Sequence, residues 1–528
     1  MKNSRSVFHA LRAALSLTIV IACLTSAGAQ RAGVYENPVI AGDYPDPSVI
    51  RVGQDYWATA TSGEWAPEFP ILHSRDLVHW EVVSAVFQKR PLWAAQNFWA
   101  PEISEYRGRY FVYYTARKKG GPLCVAVASS ANPRGPYTDH GPLVCQDIGS
   151  IDAMTVTDQH GERYLIWKED GNSRDQPTPL WAQKLNEDGT KLVGSKKELI
   201  RNDPKSWEGG VVEGAFILRH NDWFYLFYSG NACCGRRCNY ALGVARAKEL
   251  LGPWEKNPAN PVLAENQTWQ CPGHGSIVSD ARGRDFLLYH AYKKSEEAFY
   301  IGREAMLDEV AWGSGGWPSI NNGKGPSKQA PTPLGSLEGQ TPDSFLDDFD
   351  SSTLRPSWQW PQESEPLVGF ETERGGRLVL TSTSGQAADP AGAVLSQPVT
   401  SANYVATVLV KTSEMKEGTL AGLSAYSGRD DALGMAVGGG KIIIYLREAK
   451  KHQVVKTLNA PAAPLLYLRM SVTAGSHYRF AFSSDGRGWT DASEEINGSF
   501  LEGVRISLTA GGIKGASARF EWIRITPS

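Results

Sequence analysis

The chain has 528 residues, too many for one ordinary hydrophobic core, so two domains are expected. A formal net charge of −2 without a basic run gives no electrostatic footprint for nucleic acid. The 17 Trp, 20 Tyr and 17 Phe, beside 53 Gly and 31 Pro, suit an all-β protein whose exposed aromatic rings can stack on sugars.

Residues 1–29 read as an export signal. Lys2, Arg5 and Arg12 form the basic region, Ala13 to Ala22 the apolar core, and Ala27-Gly28-Ala29 the small-residue cleavage site. A secreted or periplasmic protein is expected. The less favoured alternative is a lipoprotein anchored at Cys23, in Val20-Ile21-Ala22-Cys23. No other apolar run is long enough to span a membrane.

Next comes Gly42-Asp43-Tyr44-Pro45-Asp46-Pro47-Ser48, which holds Asp46 between two prolines ahead of the strand-like Val49-Ile50-Arg51-Val52. Aromatic strand-like runs then recur at Tyr56-Trp57, Tyr110 to Tyr114, Tyr164 to Trp167, Trp223 to Tyr228 and Phe286 to Tyr289. Their spacing of roughly 54 to 62 residues suits one four-stranded propeller blade per repeat. Five blades over residues 34–320 are therefore expected.

A short motif lies one strand and one turn before each run: Pro45-Asp46-Pro47-Ser48, Phe98-Trp99-Ala100-Pro101-Glu102, Ile151-Asp152-Ala153-Met154, Val212-Glu213-Gly214-Ala215-Phe216 and Gly273-His274-Gly275-Ser276. Such a preceding strand is the innermost of its blade, so all five motifs converge on the channel. Asp46, Asp152 and Glu213 then become neighbours. Like charges raise one another's pKa, so such a cluster costs stability. Glycoside hydrolysis needs it: one carboxylic acid protonates the leaving oxygen, and one carboxylate activates water or attacks the sugar. His274 reads as a packed polar residue, a ligand of a central cation or a base, and Trp99 as core filling or a sugar platform.

Seven cysteines include six beyond Cys23, an even number that favours disulfides in an exported chain. Cys124 with Cys145 is a local pair, whereas Cys233, Cys234, Cys238 and Cys271 can pair in three ways. The Cys233 to Cys238 run lacks the spacing of a structural zinc site. Residues 321–344 read as a Gly-, Pro-, Ser- and Thr-rich linker. In 345–528, alternating segments such as Tyr404 to Val410 and Lys441 to Leu446 predict a jelly-roll β-sandwich, with a hairpin turn at Ser484 to Trp489.

From Asn37-Pro38-Val39-Ile40 to Gly302-Arg303-Glu304 the ordered motifs resemble glycoside hydrolase family 43, the five-bladed β-propeller arabinofuranosidases, xylosidases and arabinanases. The C-terminal part resembles the concanavalin-like sandwich attached to many members, in which a loop caps the active site. The resemblance implies Asp46 as general base, Glu213 as general acid, and Asp152 as the carboxylate that orients Glu213 and raises its pKa. It implies Arg303, Trp65 and Trp99 as sugar-binding residues, with Asp43 in support, and places His274 near a bound calcium or other cation. No cofactor is required, and the mechanism inverts. The expected activity is exo-acting release of arabinofuranose or xylose from plant-wall polysaccharides or oligosaccharides. A non-catalytic sugar-binding propeller and a galactan-cleaving relative are the alternatives.

Overall fold

Five four-stranded sheets, spanning residues 48–87, 94–144, 150–200, 212–256 and 269–320, follow one another along the chain. Neighbouring strands are antiparallel throughout, and the first strand of each sheet lines the axis. The computed structural model describes residues 33–295, 298–333, 344–371, 376–383, 389–428, 431–449 and 451–528. The segment expected to be an export signal, residues 1–29 with Cys23, lies outside these residues.

Hydrophobic clusters between successive blades hold the ring. Phe69, Phe98 and Tyr114 join blades 1 and 2; Tyr113, Ala153 and Trp167 join blades 2 and 3. Ile166 with Ala215 and Leu226 joins blades 3 and 4, and Phe227 with Leu287 and Tyr289 joins blades 4 and 5. Tyr56 and Leu72 against Phe286 and Leu288 close the circle from blade 5 to blade 1. The inner strands are therefore buried on both faces, and the aromatic second strands of blades 2 to 5 read as near-continuous apolar runs.

The ends of the propeller are tied beside this seam. Val34–Glu36 pairs with Gln329–Pro331, and Ile40 bridges to Ala305. Asn37 exchanges two 2.9 Å hydrogen bonds with the Leu307 backbone. This corrects the reading of 321–344 as a plain linker, because part of it is a strand that pairs with the N-terminal segment. Residues 334–343 lie outside the described residues.

The C-terminal domain packs two antiparallel sheets of nine and six strands. Leu465–Thr473 alternates partly exposed and buried residues, as a strand with one core face should. At the 484–489 turn, Asp485 Oδ1 accepts the Arg487 and Gly488 N–H groups, which closes the hairpin locally.

Several contacts fasten the sandwich to the channel mouth, among them a strand pair and an inserted tyrosine. Trp65–Ala66 of blade 1 pairs with Trp360–Pro361. The Ala298–Ile301 turn of blade 5 inserts Tyr300 into the sandwich core, where its hydroxyl meets those of Tyr404 and Tyr478 at 2.8 and 2.6 Å. Gly302-Arg303-Glu304 follows directly, so the sandwich fixes the approach to Arg303. Cys124–Cys145 forms as expected, and the other four cysteines pair as Cys233–Cys234 and Cys238–Cys271. No helix among the described residues is long and apolar enough to cross a membrane.

Candidate active site

At equivalent positions on or just before the innermost strands, one residue of each blade lies in the left-handed region: Asp46 (φ 54°), Ala100 (φ 42°), Asp152 (φ 55°), Gly214 (φ 57°) and His274 (φ 45°). The ladder to the second strand slips at this point in blades 2 to 5. Such a conformation costs a non-glycine residue about 1 kcal/mol or more, and four of the five are not glycine. The repeated bulge turns successive side chains toward the axis. Asp46, Asp152 and His274 are thus equivalent positions, whereas Glu213 stands one residue earlier, equivalent to Trp99.

The backbone N–H groups at these bulges are held by side chains of the preceding blade. Thr61 Oγ1 accepts from Ala100 at 2.7 Å, Thr115 Oγ1 from Asp152 at 3.1 Å, and Ser229 Oγ from His274 at 2.8 Å. His290 Nδ1 accepts from Asp46 at 3.1 Å, which completes the circle. The second-strand residue of blade 3 is Lys168, opposite Ile151 as Thr115 is opposite Trp99 and Ser229 is opposite Glu213. A lysine cannot accept, so the pattern breaks there. Its Nζ donates instead to Glu213 Oε2 at 2.6 Å and Asp170 Oδ1 at 3.2 Å. The vacated Gly214 N–H donates to Asp152 Oδ2 at 3.2 Å, which ties Asp152 to the backbone next to Glu213.

Asp46 is held as an anion. Thr61 Oγ1 donates to its Oδ2 at 2.7 Å and Arg303 Nη1 to its Oδ1 at 3.0 Å. The Nδ1 atoms of His274 and His290 lie 3.4 and 3.2 Å from the same Oδ1. Burial alone would raise its pKa, but the Arg303 guanidinium, aided by His274, outweighs burial and holds the carboxyl well below the usual range. Burial also pushes His290 down to about 4, so it is a neutral neighbour at ordinary pH.

The other two acids share their surroundings unequally. Burial, reinforced by the Glu213 and Asp46 charges, pushes Asp152 up to about 7. Burial raises Glu213 as well, yet the Lys168 ammonium outweighs it, aided by His274 and by the Tyr240 hydroxyl donating to Oε1 at 2.9 Å, and the net direction is down. The Lys168 ammonium thus opposes the rise expected at Glu213 from Asp152. Burial pushes Asp152 up and the Lys168 ammonium draws Glu213 down, so one proton serves the pair.

A family model described as "Glycosyl hydrolases family 43" matches residues 35–318, which include the whole five-bladed ring and every carboxylate above. The chain belongs to this family. Residues 346–525 match the "Beta xylosidase C-terminal Concanavalin A-like domain". Xylosidase/arabinosidase 43B of Humicola insolens is 26% identical over 421 residues, 76% of each chain. The non-reducing end α-L-arabinofuranosidase BoGH43B of Bacteroides ovatus is 25% identical over 517 residues, covering 92% of this chain and 94% of its own. The family 43 protein BlXynB of Bacillus licheniformis superimposes with a TM-score of 0.80 at 25% identity, over 94% of this chain and all of the other. The protein is a glycosidase.

The remaining family 43 site residues take different places. Trp99 lies on the innermost strand of blade 2, half-buried at the position equivalent to Glu213. Asp43 stands behind Arg303: its Oδ1 accepts the Arg303 backbone N–H at 3.0 Å. That approach exists because residue 302 is glycine with φ 106°; a Cβ there would lie 2.4 Å from Asp43 Oδ1. Trp65, expected on the sugar, is only 4% exposed and sits in the domain interface, its edge toward Tyr426 and the Arg505 guanidinium over its ring at 4.8 Å. Arg505 also reaches Asp43 Oδ2 at 3.5 Å, so the sandwich braces the residue that braces Arg303.

His274 Nδ1 faces Asp46 Oδ1, and among the described residues no three His, Cys, Asp or Glu groups are arranged to hold a metal ion. Sequence reading overlooked Lys168, Tyr240, His290 and Arg505. Only Lys168 carried a local signal, as a charged residue ending the apolar run Tyr164-Leu165-Ile166-Trp167.

Proposed function

We propose that this glycosidase is exported, acts at chain ends and inverts, releasing arabinofuranose or xylose from plant-wall polysaccharides or oligosaccharides. The observation that carries the reading is the contrast between two carboxylates of one channel. Asp46 is fixed as an anion by Arg303 and Thr61, as a base must be. Glu213 sits in a coupled pair with a group that holds a proton near neutral pH. In the reaction, Asp46 takes a proton from a water that attacks the anomeric carbon, while Glu213, carrying the one proton it shares with Asp152, gives it to the departing glycosidic oxygen. Asp152 anchors the backbone beside the acid. Lys168 has Asp170 as a second partner, so the ammonium keeps a counter-charge when Glu213 is protonated.

The export pattern at residues 1–29 and three disulfides among the described residues support an oxidising compartment outside the cytoplasm. The pentose reading draws on relatives named as xylosidases and arabinofuranosidases. A panel of aryl α-L-arabinofuranosides, β-D-xylosides and β-D-galactosides tests it. Release from one or both pentosides is expected, with galactoside cleaved far more slowly. Cleavage of the galactoside alone would overturn the pentose assignment.

Lys168→Met gives a pH test of the acid. An opposite charge at this range lowers a carboxyl by roughly 1–3 pH units, so its removal lets Glu213 keep its proton to higher pH. The alkaline limb of kcat/KM should therefore move upward by about that much. A limb that stays in place or moves down would remove Lys168 from control of the acid.

A further inference from the structure

Outside the channel mouth, a groove runs between the loops of blades 1 and 2 and the sandwich. Glu68 lines it from blade 1, is 1% exposed, and has a buried Oε2 with no hydrogen-bond partner. Gln362 lines it from the sandwich and has a buried, unpartnered Oε1. The orientation of that amide is fixed, because its Nε2 donates to the Gly63 and Trp65 carbonyls at 3.1 and 3.3 Å. Two domains therefore each contribute an acceptor without a donor, and buried acceptors of that kind are rare and costly.

The rest of the lining narrows the ligand class. Lys89, Arg90 and Lys119 border the groove and outnumber its two acids, Glu68 and Glu365, which opposes a metal cation. Two unpartnered acceptors oppose an anion. Half-buried Trp360 and Leu92, which is 89% exposed, offer apolar surface beside them. Hydroxyl donors together with an apolar C–H face describe a sugar. Burial pushes Glu68 up to about 7, in keeping with a carboxyl that has no cationic partner in contact.

A chain of hydrogen bonds links the groove wall to the innermost strand of blade 2. The Gln362 N–H donates to the Glu64 carbonyl at 3.0 Å, and Glu64 Oε1 accepts from Asn97 at 3.0 Å. Gly63 bridges to Phe98, the residue before Trp99. We propose that this groove binds a neutral pentosyl residue of a polymeric substrate, its hydroxyls donating to Glu68 Oε2 and Gln362 Oε1 and its ring lying against Trp360. This rests on the pentosidase reading of the channel.

The test uses the full chain carrying Glu213→Gln, titrated calorimetrically with xylohexaose and arabinohexaose, with and without Glu68→Leu or Trp360→Ala. Each groove substitution should weaken binding of the accepted hexasaccharide about tenfold. In the otherwise native enzyme the same changes should slow attack on xylan or arabinan by a similar factor, while aryl pentoside kcat/KM stays within about twofold. Glu68→Leu keeps the proposal testable should Trp360→Ala disturb the strand pair with Trp65. Unchanged hexasaccharide affinity in Glu68→Leu, with a raised Tm, would overturn the proposal and leave Glu68 as an unpaired buried acid. Calcium that raises the Tm of the native protein but not of Glu68→Leu would overturn it in favour of a cation. Loss of aryl pentoside cleavage by the native enzyme would instead overturn the channel assignment, and the hexasaccharide titration would still report on the groove.

Discussion

Glu213→Gln is expected to lower kcat/KM on pentosides with poor leaving groups by roughly 10²- to 10⁴-fold. The amide keeps the size of the acid and the contact with Tyr240 but has no proton to give to the leaving oxygen. Aryl pentosides that depart readily as phenolates need little protonation, so they should keep most of their rate. A series of phenols of falling pKa measures this: the native enzyme gives a shallow dependence and the variant a steep one. Lys168 retains Asp170 as partner, so the fold should survive, which a thermal melt checks independently. Equal loss across all leaving groups would remove Glu213 from the acid role.

Asp46→Asn is expected to cost a comparable factor with the opposite signature. Water must be activated whichever group departs, so the loss should be uniform across the phenol series. Azide, a nucleophile that needs no deprotonation, should restore turnover and yield a glycosyl azide. The neutral amide also leaves Arg303 without its 3.0 Å carboxylate partner, which is expected to raise KM in addition. Asp43→Asn keeps an oxygen acceptor for the Arg303 backbone N–H and should cost much less. If Asp43→Asn abolished turnover while Asp46→Asn was tolerated, the two roles would be reversed.

These two roles were legible in the chain because a propeller writes its axis into sequence as a repeat. The innermost strand precedes an aromatic second strand in each of the five repeats, so Asp46, Asp152 and Glu213 could be aligned without any contact information. The alignment also shows where the repeat departs from itself. Thr61, Thr115, Ser229 and His290 each accept a bulge N–H from the next blade, and Lys168 does not. Comparing the second-strand ends would have brought Lys168 forward, but its effect on Glu213 depends on a 2.6 Å contact across blades that spacing does not encode.

Contributions from the sandwich were less legible for a different reason. Arg505 reaches Asp43 and Trp65 across more than four hundred residues of chain, and nothing in Gly503-Val504-Arg505-Ile506 marks it as other than a strand residue. Trp65 was expected on the sugar because the family resemblance implies it there, in a loop between strands of blade 1. The second domain covers that loop, and an indole there gains more from burial against Tyr426 than from exposure. The pairing of the four later cysteines depended in the same way on loop geometry.

The inverting assignment of Asp46 and Glu213 is tested most directly by following the first product by proton NMR during rapid cleavage of the preferred aryl pentoside. The first-formed free sugar should carry the anomeric configuration opposite to that of the substrate and then mutarotate. A first product of retained configuration would contradict the account, because Asp46 would then act as a nucleophile on the sugar and not as a base on water.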